Sequence, residues 1–353
     1  MTLGVSVMIG GSQDDELSAA SVVEVVERMG ETTTFRLRYP LNIDNNDFPL
    51  LTDDRVSPGS VISILVPGGS EMVSLVKGPV RVQRCHFVHG GAGSYVDVEG
   101  SDSSIKMDRE DRAAVWDSNL DSDSVSTVIA NYGLNDDVDA TDGHHDETKH
   151  TLVQRSSDLA FVRLLAQRNG FVFWITSDKD GNETAHFKRP PFDADPALTL
   201  TINLDTPSLD NLDLDWDVER PTSSLAAQLN LNDLSTIDGE VDDSPLALLG
   251  ASSLVAITGD TRSVHLIVPA DDSGDLRARS ESVLLDATTF VHVACQTTMG
   301  VVPTPIRTHT VIKLDGLGSR HSGKYFVSSV RHTINELEHR MESELVRNAW
   351  GAT

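Results

Sequence analysis

Apolar and polar positions alternate in short runs over the first hundred residues. Thr34-Phe35-Arg36-Leu37-Arg38-Tyr39 is apolar at every second position and stops at Pro40, the pattern of a half-buried strand. Ser57-Pro58-Gly59-Ser60 is a turn signal that leads into Val61-Ile62-Ser63-Ile64-Leu65-Val66, and Pro67-Gly68-Gly69 closes that run. Val80 to Arg84 and Tyr95 to Val98 follow as two more strands, separated by the glycine-rich His89-Gly90-Gly91-Ala92-Gly93. Short strands at this spacing predict a small antiparallel barrel or sandwich.

The period then changes. Between Asp121 and Leu134 the apolar residues Val125, Val128, Ile129 and Tyr132 fall at helical spacing. Ser122 or Asp123 is placed to cap the start of that helix and Gly133 to end it. A second helix is predicted from about Ser156, with Leu159, Val162, Leu165 and Ala166 on one face and Gly170 just past its end. It runs into the strand Phe171-Val172-Phe173-Trp174-Ile175, and the turn Asp178 to Asn182 returns the chain through His186-Phe187-Lys188. The stretch from Asn135 to Lys149 reads as an acidic, exposed loop.

Strands return in the last third. Leu212-Asp213-Leu214-Asp215-Trp216-Asp217-Val218 sets three aspartates on one face and four apolar groups on the other. One helix carries Leu276, Val283, Leu284, Ala287 and Phe290 on a stripe. Val311 to Leu314, Tyr325 to His332 and Met341 to Val346 are the last predicted strands. The sequence itself shows no internal repeat.

Composition changes the picture mainly through charge. The net charge is -26, with 54 acidic against 28 basic residues. Such a surface repels phosphates, which argues against direct binding to nucleic acid or to an anionic membrane. It suits a halophilic setting, where salt screens the repulsion, and equally an acidic protein from a GC-rich genome. No run of about 18 apolar residues is present to span a membrane, and no secretory leader is evident. Cys85 and Cys295 stand apart, which excludes a disulfide framework or a thiolate zinc site.

Candidate chemistry is sparse. Asp142-Gly143-His144-His145-Asp146-Glu147-Thr148-Lys149-His150 is dense in metal-ligand types but lacks a spacing that turns two imidazoles to one ion. It reads as a solvated loop. Asp178 to Glu183 hints at a calcium loop, but its glycine comes too early and a hairpin turn fits better. Asp213, Asp215 and Asp217 read three ways: an acidic lumen, a divalent-ion face, or a solvated edge. No nucleophile motif or phosphate loop is visible, so no catalytic, cofactor or metal residue is expected.

Three ordered segments carry a resemblance. They are Ser122-Asp123-Ser124-Val125 through Ile129-Ala130-Asn131-Tyr132-Gly133-Leu134; Gln154 through Ser157-Asp158-Leu159-Ala160-Phe161 to Arg168-Asn169-Gly170-Phe171; and Ser322-Gly323-Lys324-Tyr325 through Ser329-Val330-Arg331-His332-Thr333-Ile334 with Arg347-Asn348-Ala349. The chain resembles in these the phage late control D family, the tail hubs that also form the hub portion of type VI secretion spikes. The N-terminal hundred residues match in pattern alone.

The resemblance implies a mainly β fold with α+β insertions: two similar antiparallel β-barrel (tube-like) domains plus small helix-containing domains. The expected parts are a first barrel at 1–103, an α+β domain at 104–200, and a second barrel at 201–353 with a helical insertion at about 240–292. It implies a homotrimer whose six barrels form a pseudo-sixfold ring between a hexameric tail tube protein and a separate trimeric spike protein, beside other baseplate or tape-measure proteins. The setting is a virion tail or an extracellular phage tail-like particle such as a contractile injection system. The chain stops soon after the terminal hairpin, so the needle is expected to be another protein. Motif or subunit-interface candidates are Asp158, Phe161, Leu165, Gly170, Gly323, Tyr325, Arg331 and His332. Arg331 and His332 either bridge to carboxylates of a neighbouring subunit or stand on an ordinary exposed strand face. The rival readings are a tail-associated cell-wall hydrolase and an envelope- or carbohydrate-binding module.

Overall fold

The computed structural model describes residues 4–44, 47–116, 120–142, 151–229, 236–242, 244–267 and 273–351. The His144–His150 cluster and its glycine therefore lie outside the described residues.

The first part of the chain forms β1 (Ser6–Ile9), β2 (Ser12–Gln13), β3 (Val22–Arg28), β4 (Thr34–Pro40), β5 (Val61–Gly68), β6 (Glu71–His86) and β7 (Tyr95–Ser101). The central part holds β8 (Asp111–Trp116), α1 (Asp121–Ala130), β9 (Asn135–Val138), β10 (Leu152–Ser157), α2 (Asp158–Asn169), β11 (Val172–Ser177) and β12 (Glu183–Lys188). Then come β13 (Thr199–Thr201), β14 (Asn211–Trp216), β15 (Ser223–Leu229), β16 (Thr236–Asp238), β17 (Ser252–Ser253), α3 (Leu254–Thr258), β18 (Ser263–Leu266) and α4 (Ser273–Ala287). The chain closes with β19 (Val291–Thr298), β20 (Val311–Asp315), α5 (Gly318–His321), β21 (Gly323–Asn335), β22 (His339–Arg347) and β23 (Ala349–Trp350).

The fold is mainly β, built on one large and mostly antiparallel sheet. Alternation places one face of each strand on a core: β4 buries Phe35, Leu37 and Tyr39, and β22 buries Met341 and Leu345. Two separate apolar cores lie under the sheet. One draws on Val7 through Val98, the other on Leu198 through Leu345. The strands over the first core run β5-β6-β7-β4-β3, and those over the second run β20-β21-β22-β19-β14. Numbered within each half, both orders are third, fourth, fifth, second, first. The halves join where β21 pairs with β3, from Ser329 opposite Arg28 to Asn335 opposite Val22. The two barrel-like halves thus share one sheet, and the repeat missing from the sequence is present in the topology.

The α+β part packs α1 and α2 against the β11–β12 hairpin over a third core that includes Phe161, Phe173 and Phe187. Ser157 caps α2 by accepting from the Ala160 amide at 3.2 Å, and Gly170 ends it at φ 65°. Three sequence expectations need correction. Asn135 to Val138 is a strand parallel to β12 rather than loop. The first helix begins one residue before Ser122, and Asp123 acts from within it, accepting from the Leu120 amide at 3.3 Å. Phe290 lies beyond the end of α4 and joins the second core. The insertion in the second half also carries strands, because β15 pairs with β16 and β18.

Candidate functional site

The sequence-selected motif residues fall into two internal nodes and one joint. In the first node Asp158 begins α2 and is buried. Its carboxylate accepts from Tyr132 Oη at 2.7 Å and Gln154 Nε2 at 2.7 Å, and Arg112 Nη1 lies at 3.0 Å. Burial, reinforced by that carboxylate, pushes the Tyr132 phenol up to about 12. Phe161 stacks on Trp116 with ring centroids 5.6 Å apart, and Leu165 lies in the same core. A Cβ on Gly170 would sit 2.5 Å from Leu285 Cδ1, so the glycine lets α4 approach α2. Asp158, Phe161 and Leu165 hold the α+β part together, and Gly170 sets its contact with α4.

The second node is built on Gly323 and Tyr325. Tyr325 is fully buried, donates to the His321 carbonyl at 2.7 Å and lies under the Arg347 guanidinium. Arg347 is fully buried as well; its Nε donates to the Leu249 carbonyl at 3.1 Å and its Nη2 to that of Gly351. Gly323 has φ 140°, and a Cβ there would meet Arg347 Nη2 at 2.6 Å. The buried guanidinium thus exchanges water for backbone carbonyls, and a glycine makes room for it.

The joint between the two halves contains the other two candidates. Arg331 reaches Glu24 of the first half at 3.1 Å, so the carboxylate it bridges belongs to its own chain. His332 is buried against His339, with 3.0 Å between Nδ1 and Nε2. Burial holds His339 down at about 4, and burial, with His339 beside it, holds His332 well below the usual imidazole range. Sequence reasoning missed the strongest contact here. Arg307 Nε donates to Glu27 Oε1 at 2.6 Å, and its Nη1 and Nη2 reach the Ser74 and Leu75 carbonyls at 2.5 and 3.0 Å. Thr308 donates to Glu27 Oε2 through both its amide and its hydroxyl. Nothing in the local pattern around Arg307, a loop between strands, signals a partner 280 residues away.

Among the described residues, two of the open strand edges lie in matching halves of the large sheet. β14 ends the sheet, and its outer edge meets no strand among the described residues. Asp213, Asp215 and Asp217 stand exposed there; Asp217 has Arg220 at 3.8 Å. Beyond Val80, β6 has β7 on one side and no described strand on the other. A cleft of about 570 Å³ lies where the α+β part meets the sheet. Its walls are mostly apolar, Met29, Phe171, Phe192, Leu246, Leu285 and Val346 among them. Among the described residues no cluster of three or more metal-ligating side chains occurs, and no helix is long and apolar enough to cross a membrane. Asp178 accepts from the Asp180 and Asn182 amides, the arrangement of a hairpin turn.

Comparison with known proteins agrees with this architecture. A family described as the Alg8 N-terminal domain matches residues 2–336. No curated protein matches the chain. Among solved structures it is similar to a tail protein from Neisseria meningitidis, with TM-score 0.68 and 14% identity over 100% of both chains. It is also similar to the 43 kDa tail protein of prophage MuSo2 from Shewanella oneidensis, with TM-score 0.67 and 12% identity over 98% of each chain. An Escherichia coli component of the type VI secretion system aligns at TM-score 0.58 and 10% identity, over 97% of this chain and 76% of that one. The fold is that of phage tail proteins.

Proposed function

We propose that this chain, which belongs to the Alg8 N-terminal domain family, is a structural hub of a phage tail or tail-like injection particle. Three copies form a ring of six half-sheets that adapts a hexameric tail tube to a trimeric spike formed by another protein. The observation that carries this reading is the repeated strand order: one chain supplies two copies of one five-strand arrangement, side by side in one sheet. A trimer of such chains presents six similar units to a sixfold partner and three identical faces to a threefold one. The fold likeness to tail proteins supports the setting, in a virion tail or an extracellular tail-like particle.

The role is structural rather than catalytic. That reading is supported by what several ionisable groups do: the buried Glu27, Asp158 and Arg347 and the half-buried Arg307 are engaged in cross-element contacts. We also assign the acidic surface to work in concentrated salt, a reading the net charge of -26 supports.

The test is co-assembly with the tube and spike proteins encoded beside this chain, followed by electron microscopy of the complex. Three copies between six tube and three spike subunits are expected. Absence from the tube–spike junction, or steady turnover of peptidoglycan by the purified chain, overturns the proposal.

A further inference from the structure

The two halves agree residue by residue as well as in strand order. In the first half β6 shifts register against β7 between Val80 and Val82; in the second, β21 shifts against β22 between Val327 and Ser329. Just before each shift, Pro79 pairs with Val61 and Phe326 pairs with Val311. Just after it, Val82 pairs with Glu99 and Ser329 with Glu344. Extending these pairings across the sheet matches Arg84 with Arg331, Cys85 with His332, and Phe87 with Ile334. On the first strand of each half, Glu24 pairs with Arg36 and Asp213 with Ala294. Because Arg36 pairs with Glu99 and Ala294 with Glu344, Glu24 matches Asp213 and Val25 matches Leu214.

In the second half the stretch after the shift is not an edge. Arg331 to Ile334 of β21 pairs with β3, which places His332 opposite Val25 and Ile334 opposite Val23. Both side chains are almost wholly buried, and Arg331 forms its ion pair with Glu24 there. The matching stretch of the first half has the same register and, among the described residues, no partner strand on that side. Cys85 is exposed, and Phe87 is 55% exposed where Ile334 is 2%. An open strand edge with exposed apolar groups is a template for pairing. β14, which matches β3, is also an open edge among the described residues; its Trp216 is 48% exposed. The charges complement each other: Arg81 and Arg84, the latter exposed although 2.8 Å from Glu99, lie on one edge, and Asp213 and Asp215 on the other.

Resting on the hub reading above, we infer that β14 of one copy pairs antiparallel with the Val82–His86 stretch of β6 in the next copy, reproducing between chains the β3·β21 joint found within one. The register follows from the internal joint. Arg84 of one copy stands opposite Asp215 of the next and diagonal to Asp213, as Arg331 stands opposite Val26 and diagonal to Glu24. Cys85 faces Leu214, and Phe87 faces Leu212. Each chain carries one edge of each kind, so the contact runs head to tail, and a rotation of a third of a turn per copy closes it into a ring of three.

The register is testable with the thiols the chain already has. Directly opposed residues of an antiparallel pair have Cα atoms about 4.5–5.5 Å apart, within disulfide range. In a Cys295→Ala background, Leu214→Cys is expected to cross-link through Cys85 of the next copy on mild oxidation. Non-reducing gels then show a ladder that ends at a closed ring with no free thiol. Asp213→Cys, whose side chain leaves the opposite face, is expected to stay unlinked. Independently, Arg84→Glu and Asp213→Arg are each expected to weaken the oligomer about tenfold, and their combination to recover most of the loss. A trimer that co-assembles with tube and spike but lacks the link overturns this joint and leaves the hub reading standing. A covalent ring that closes at two chains keeps the joint and overturns the trimeric hub. A chain that stays monomeric alone and with its tail partners overturns both.

Discussion

The two halves of the sheet share strand order and register, yet they treat the polar face of that sheet differently. In the first half the face is a ladder of cross-strand ion pairs. Arg36 meets Glu24 at 2.5 Å, Arg38 meets Asp97 at 2.7 Å, and Arg84 meets Glu99 at 2.8 Å. The Arg38 guanidinium holds the Asp97 carboxyl below the usual carboxylate range. In the second half Ala294 stands where Arg36 does and Gln296 where Arg38 does. Asp213, Asp215 and Glu344 have no ion pair among the described residues. Identical topology therefore leaves one half neutralised by itself and the other with an acidic excess. An excess of one sign on an open strand edge calls for a cation from outside the chain or for salt.

The joint between the halves is where this comparison breaks most severely. Arg307 to alanine leaves the Glu27 carboxylate buried, keeping only the Thr308 donors, and removes the bonds to two β6 carbonyls. Breaking a buried pair from one side costs about 3–5 kcal/mol. Urea unfolding of Arg307→Ala is expected to show that loss. Because the residue ties half to half rather than filling a core, unfolding in two steps is expected where the parent chain unfolds in one. A single transition with the parent midpoint would show that the halves do not depend on this contact.

The next effect in size distinguishes the halves by pH. His332 and His339 occupy the second half's side of the joint, and the first half has the exposed Cys85 in the place of His332. Both imidazoles are held below their ordinary value of 6.5, His339 at about 4, chiefly by burial. Below pH 6.5 the unfolded chain takes up protons that the folded chain refuses, so stability is full above that pH and falls as acid drives it toward 4. For His339 the loss is at most about 3 kcal/mol. Thermal melts between pH 7.5 and 4.5 are expected to drop steeply for the parent chain and to flatten for His339→Gln. Equal slopes for the two would place the acid sensitivity elsewhere.

Much of this was legible in the sequence, and the remainder was hidden for physical reasons. Alternation located β4 and β14 because each carries its apolar side chains on one face and its polar ones on the other, and the turn signals on either side located β5. The apolar stripe and Gly170 located α2, while its N-cap, Ser157, was not read in advance. β3 went unread because Val22 and Val26 stand beside Glu24 on its half-exposed face, so the residue types do not alternate although the burial does. The motif residues Asp158, Tyr325 and His332 serve internal contacts, since a buried polar group demands partners whether or not it has a function. The Glu27–Arg307 pair and the matched edges were out of reach. Both depend on strand registers that bring residues from opposite ends of the chain together, and no local pattern encodes them.

The smallest expected effect tests the charge comparison itself. Ala294 lies between Asp213 on one neighbouring strand and Glu344 on the other, the position Arg36 holds between Glu24 and Glu99. Ala294→Arg therefore transplants the first half's ion pairing into the second. Cross-strand opposite-charge pairs contribute roughly 0.2–1 kcal/mol, so the variant is expected to be more stable by that amount in dilute salt. The gain should vanish near 1 M salt, where charges a few ångströms apart are screened. Arg36→Ala should lose a similar amount with the same salt dependence. The new arginine also engages Asp213, the residue offered to Arg84 of the next copy, so the variant's oligomer should weaken in dilute salt while its fold strengthens. Stability and assembly rising together would mean that Asp213 serves the chain's own sheet and not its neighbour's.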